Sequence, residues 1–200
     1  MDTYTIVKRP KVLDWAQIPA LQIDHWHYTE PMPISAQAQL CYDDTALYVR
    51  LSAVEPNIKA TYSGLLDEVS EDSCLELFFC PKAGDQRYFN IEVNPNGAMY
   101  LGFGPSINDL MRLIPEEKQI VPQITMTDDG WIVEYAIPYS FIRVFFPDFS
   151  PVSGDTMKAN CYKCADAGEN NLPHSLCWKP VVLRRCAFHN PDCFGTMIFE

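Results

Sequence analysis

The sequence predicts an all-β fold, a two-sheet antiparallel β-sandwich with one or two short helices, on three observations. Sixteen Pro and nine Gly are spread along 200 residues and aromatics make up 12%, which favours many short strands and turns over long helices. In several segments apolar residues recur at every second position, the period of a strand with one buried face. Turn residues separate these segments at the spacing of a sandwich.

The first 34 residues, rich in Pro and aromatics with DW at 14–15 and DHWHY at 24–28, show no clean period and are expected to wrap the sheet edges as extended chain. Residues 36–54, AQAQLCYDDTALYVRLSAV, read as strand, turn, strand. Asp43-Asp44 make the turn, and Leu47, Val49 and Leu51 alternate as a core face. After a polar stretch at 55–71, residues 72–94, DSCLELFFCPKAGDQRYFNIEVN, form a hairpin closed by a Gly-containing turn. Asn94-Pro95-Asn96-Gly97 signal another turn before the strand AMYLGFG. Residues 105–118 connect onward with a helical turn at INDLMRL. ITMTDDGWIVEYAIP is the next hairpin, turning at Asp128-Asp129-Gly130, with Trp131, Val133 and Tyr135 opposite in facing to Ile132, Glu134 and Ala136. YSFIRVFF, between two prolines, reads as a short helix. TMKANCYKC, SLCWKPV and FGTMIFE supply the last strands. No repeat, low-complexity tract or linker interrupts the chain, so residues 1–200 read as a single domain.

A hydrophobic content of 48% is ample for a buried core. The formal charge of -11 argues against nucleic acid or an anionic membrane surface as partner, because both reward clustered Lys and Arg. No apolar run approaches the roughly 20 residues that span a bilayer. The opening MDTYTIVKRP lacks the apolar stretch of a secretory signal, so the chain as written is expected in the cytoplasm, or outside the cell if a signal has been removed. Eight cysteines in a chain of this size read as reduced thiols.

The hairpin at 72–94 concentrates the chemistry. Glu76 falls in register with Cys74 and Phe78, and on the returning strand Tyr88, Asn90, Glu92 and Asn94 share one face. Pairing gathers two carboxylates, two amides and a phenol on one side of a sheet. Such an inventory suits polyols, whose hydroxyls need donors and acceptors fixed on a rigid platform. A merely solvated outer face is the alternative of about equal weight. On TMKANCYKC, Asn160 and Tyr162 share a face that could extend the same surface. Trp178 offers an indole on which the apolar face of a pyranose could stack, with His174 close by in sequence.

Taken in order, YDDTALYVRLSAVE at 42–55, EDSCLELFF at 71–79, RYFNIEVNPNG at 87–97, GWIVEYAIP at 130–138, NCYKCAD at 160–166, PHSLCWKPV at 173–181 and FHNPDCFGTMIFE at 188–200 resemble the family 9 carbohydrate-binding modules, in their stand-alone bacterial branch. The resemblance covers residue 36 onward. It implies a DOMON-like, jelly-roll-type sandwich that binds polysaccharide ends or small oligosaccharides without catalysis, beside glycoside hydrolases, often with structural calcium. It also implies two tryptophans clamping a sugar ring: Trp178 stands at one of those places, and Val69 occupies the other. The ligand-binding residues expected are therefore Trp178, Glu76, Asn90, Glu92, Asn160, Tyr162 and His174.

Asp72 is expected either to cap a turn or to join a calcium loop, since hard cations need several oxygens converging at about 2.4 Å. Cys161-x-x-Cys164 and Cys186-x-x-His189-x-x-x-Cys193 bring zinc to mind, yet residues three apart on a strand point to opposite faces. Two rival readings stay open. One is a glycosidase using Glu76 and Glu92 as paired carboxyls; the other is a sandwich that has lost its pocket and serves a structural or partner-binding role.

Overall fold

A computed structural model of the chain describes residues 3–116, 119–165, 173–181 and 188–200. Its strands are β1 (Thr3–Lys8), β2 (Leu21–Ile23), β3 (His25–Trp26), β4 (Ser35–Tyr42), β5 (Ala46–Val54), β6 (Cys74–Cys80), β7 (Tyr88–Val93), β8 (Met99–Gly104), β9 (Met111–Arg112), β10 (Gln123–Met126), β11 (Gly130–Pro138), β12 (Thr156–Ala165), β13 (His174–Cys177) and β14 (Gly195–Phe199). A single α-helical turn, α1 (Tyr139–Ile142), follows β11, where YSFIRVFF promised a helix. The INDLMRL segment forms a 3-10 turn at Ile107–Asp109 and then the short strand β9.

The strands build two layers. One sheet runs β3-β13-β12-β6-β7-β8-β9, with β14 alongside the first half of β12; the other runs β10-β11-β5-β4, with β2 and β1 on the far edge of β4. Leu75, Leu77, Phe79, Phe89, Ile91 and Leu101 of the first sheet meet Leu40, Val49, Leu51, Val133 and Ile137 of the second in one core. Each such fully buried side chain contributes about 1.5–3 kcal/mol.

The N-terminal segment differs from the expected edge wrapping. Tyr4 and Ile6 are buried, and β1 pairs in parallel with β14 through Thr3–Ile6 and with β4 through Val7 and Lys8. It therefore ties the two sheets together and departs from the wholly antiparallel pattern. The TYTIVK alternation is there to be read, but the disorderly Pro-aromatic stretch behind it hides it.

The sheets differ in how they meet solvent. Strands β5 and β11 alternate buried and half-buried positions, as an antiparallel sheet with one wet face should. Strands β6, β7 and β8 are buried at every position. The outward face of the first sheet is therefore covered, and that is where the polar residues of the hairpin lie.

Candidate functional site

The strand register sets the face. Glu76 on β6 stands opposite Glu92 on β7 and Tyr162 on β12, and Glu92 stands opposite Tyr100 on β8. One row across four strands thus reads Tyr162, Glu76, Glu92, Tyr100. The next row reads Asn160, Phe78, Asn90, Gly102. Gly102 is needed there, because a Cβ would fall 2.1 Å from Asn90 Oδ1 and 2.7 Å from Leu110 Cδ2.

Glu76 is 2% exposed and Glu92 7%, and Asn90 is fully buried. Asn90 Nδ2 donates to Glu92 Oε1 at 2.6 Å, and Cys164 Sγ donates to Glu76 Oε1 at 2.9 Å. Among the described residues, Glu76 Oε2 and Asn90 Oδ1 are buried without a hydrogen-bond partner. Leaving an acceptor unpaired away from water costs about 1–3 kcal/mol, so such groups call for an explanation. Burial pushes the Glu76 carboxyl well above the usual range, with Cys164 and Glu92 adding to the effect. Burial also raises Glu92 to about 7, against the hydrogen bond from Asn90 that favours its anion.

Asn160 and Tyr162 share this face, but their polar atoms are engaged by the chain that covers it. Asn160 donates to Lys179 O at 3.0 Å and accepts from Lys179 N at 2.9 Å. The Tyr162 hydroxyl donates to Phe188 O at 3.1 Å, while the Phe188 ring stacks on its own at 3.9 Å between centroids. Val69, Ala98 and Tyr100 pack beside Cys74 and Cys164, with Tyr62, Leu110 and Phe188 partly buried around them. Tyr100 and Arg112, whose guanidinium lies 4.9 Å from the Tyr100 ring centroid and pairs with Glu68, were not anticipated from sequence. Continuing the alternation one strand further, through AMYLGFG, would have placed Tyr100 beside Glu92.

Trp178 and His174 lie apart from this group, correcting the expectation of one shared recess. The Trp178 indole is 5% exposed and belongs to the core between the sheets, and its ring fills the space that a Cβ on Gly195 would need. In this conformation it offers no open platform. His174 faces the same interior because β13 pairs it with Ala165, one step along from Lys163. Lys163 Nζ lies 2.7 Å from His174 Nε2 and 3.2 Å from Glu55 Oε2. An ammonium has only protons to give, so Nε2 accepts and the imidazole proton sits on Nδ1. Ser73 Oγ donates to Glu55 Oε1 at 2.9 Å and Trp131 Nε1 to Glu55 Oε2 at 3.3 Å, which completes a buried network.

Asp72 is fully buried, and its Oδ2 accepts from Thr61 N, Tyr62 N and Asn94 Nδ2 at 2.8, 2.8 and 2.9 Å. Lys59 Nζ lies 3.9 Å from Oδ1. Three N–H donors on Oδ2 make this carboxylate the tie of a loop, while Oδ1 is buried without a hydrogen-bond partner among the described residues. Cys161 faces the core and Cys164 the outer face, as the strand period requires. His189 Nδ1 is within 2.8 Å of the Tyr88 hydroxyl; Cys186 lies outside the described residues. Elsewhere, a cleft of about 430 Å³ opens between the β6–β7 turn and the segment after α1, lined by Arg87, Phe145, Phe149 and Asp155 among others.

Across residues 7–199 the sequence matches carbohydrate-binding family 9. No curated protein matches it. Among solved structures, a candidate carbohydrate-binding protein from Bacteroides uniformis superposes with a TM-score of 0.83 at 25% identity, covering 100% of this chain and 99% of that one. Family 9 modules from Caldicellulosiruptor kristjanssonii, solved with glucose and with cellotriose, give TM-scores of 0.71 and 0.70 at 16% and 15% identity. Each alignment covers 99% of this chain, with 95% and 93% of the respective neighbour.

Proposed function

The chain belongs to carbohydrate-binding family 9, and on that premise we propose that it binds saccharides, without cleaving them, on the outward face of the sheet that carries Glu76, Asn90 and Glu92. The observation that supports this placement is a pair of buried polar atoms, Glu76 Oε2 and Asn90 Oδ1, without a hydrogen-bond partner among the described residues. A sugar presents several hydroxyl donors on a rigid ring and satisfies such acceptors, while Tyr62, Tyr100 and Phe188 supply apolar contact. Tyr62, Leu110 and Phe188 are half-buried at the edge of this face.

Paired carboxyls alone do not make a glycosidase. Acid and nucleophile need environments that push their protonation apart. Burial pushes Glu76 and Glu92 in the same direction, which serves hydrogen bonding and not bond cleavage. Glucose and cello-oligosaccharides are the first ligands to test, since two structures of this fold hold glucose and cellotriose. A protein that grips such chains without cutting them fits a place beside a hydrolase that does.

Calorimetry against a panel of mono- and oligosaccharides tests the reading. Dissociation constants in the range of about micromolar to millimolar are expected, because exchanging water for sugar leaves little net gain per hydrogen bond. Glu76→Gln and Asn90→Ala should weaken binding. Flat titrations across the panel, with folded protein, would overturn it. Binding that survives both substitutions and falls with Phe149→Ala would move the ligand to the cleft beyond α1.

A further inference from the structure

On β6 and β12 two cysteines face each other. Cys74 and Cys164 are register partners, and Glu76, two residues along β6, projects from the same face. One ligating atom from each of the three lies within 4.8 Å of the others. A tetrahedral zinc-class ion holds sulfur at about 2.3 Å and carboxylate oxygen at about 2.0–2.2 Å, which puts neighbouring donors roughly 3.5–4 Å apart. The Cys164 Sγ–Glu76 Oε1 separation of 2.9 Å and the 4.8 Å span of the set bracket that spacing.

We propose that Cys74, Cys164 and Glu76 bind a thiophilic divalent cation of the zinc class. Two thiolates with one carboxylate form a donor set that selects such ions over calcium or magnesium. The cluster also carries an unexplained group: among the described residues Glu76 Oε2 is buried without a hydrogen-bond partner, while Oε1 takes the Cys164 thiol. Cation binding gives that carboxylate a partner. Cys164, 8% exposed, is the member nearest solvent, and its environment of Val69, Ala98 and Tyr100 is otherwise apolar. Binding releases the two thiol protons, and any proton on Glu76, to water as two metal–sulfur bonds and one metal–oxygen bond form; no electron moves.

The strand period places this site where no contiguous motif could. Cys161-x-x-Cys164 cannot chelate, because its members face opposite sides of the sheet, whereas a cross-strand pair separated by much of the chain can.

The test needs no sugar and reads thiolate absorption alone; because the cation takes the Glu76 oxygen offered above to a sugar hydroxyl, saccharide titrations are run on metal-free protein, so that failure of one reading is told apart from failure of the other. Reduced full-length protein is titrated with zinc against a chromophoric chelator and, separately, with cobalt or cadmium while thiolate-to-metal charge-transfer absorption is followed. One equivalent should bind with that absorption. Cys164→Ser and Cys74→Ser should abolish the band and weaken affinity by more than the roughly 10–100-fold lost with a merely supporting residue. Cys193→Ser should leave both intact. Glu76→Gln, which preserves shape should the serine variants fail to fold, should lower affinity while keeping the sulfur band. Reduced, folded protein without charge-transfer absorption would overturn the site, as would a band that persists in both serine variants or a Cys74–Cys164 disulfide that excludes metal.

Discussion

Glu76 and Glu92 stand directly opposite each other on adjacent antiparallel strands, both all but removed from water. Burial favours the protonated form of both carboxyls, and at Glu76 the nearby Cys164 and Glu92 add to it. Glu92 rises from an ordinary value of 4.5 to about 7. A raised folded-state value means that the folded protein holds a proton which the unfolded chain releases. Stability is therefore fully present below about pH 4.5 and is lost as pH rises through about 7. Melting temperatures across that interval should fall with pH, and Glu92→Gln should flatten the slope; an unchanged slope would show that the carboxyl is not the group responsible.

Gly102→Ala tests how tightly Asn90 is held. The added methyl meets Asn90 Oδ1 and Leu110 Cδ2 well inside contact distance, so Asn90 must turn away. Destabilisation of about 1–3 kcal/mol in chemical denaturation is expected, together with weakened saccharide binding. Intact affinity in a folded variant would remove Asn90 from the binding surface.

Between the sheets, Lys163→Met should cost about 3–5 kcal/mol because it strands the buried Glu55 carboxylate. Exchanging both partners for apolar residues, Glu55→Leu with Lys163→Met, should cost less than the single change. A double-mutant cycle by urea denaturation reads the difference.

At Asp72, Ala should destabilise by roughly 2–4 kcal/mol, since three N–H donors lose one acceptor. Asn should recover part of the loss by offering its carbonyl oxygen in the same place. Equal melting points for the two variants would show that hydrogen bonding to this side chain is not what matters.

Much of the architecture was legible because strands announce themselves. Period two put Leu47, Val49 and Leu51 on one face and Glu76, Asn90 and Glu92 on another, and the Asn94–Gly97 turn, with Gly97 at φ 77°, sits where its residues predicted. What periodicity cannot say is which face of a sheet receives a cover. The Glu76 face reads as polar and wet in sequence, yet Val69, Leu110 and Phe188 from distant segments bury it. Trp178 was opaque for a related reason: whether an indole becomes platform or core depends on the glycine beneath it, Gly195, supplied by a strand that pairs much later in the chain. His174 was misplaced because the partner that draws it inward, Glu55, belongs to the other layer.

Because β1 pairs with β14 from Thr3 to Ile6, those hydrogen bonds close only after a segment far along the chain has been made. Contacts between chain positions this remote are slow to form. During synthesis the free edges of β4 and β14 stay open to neighbouring chains, so yield on expression should depend more on the integrity of TYTIVK and GTMIF than on any residue at the saccharide face.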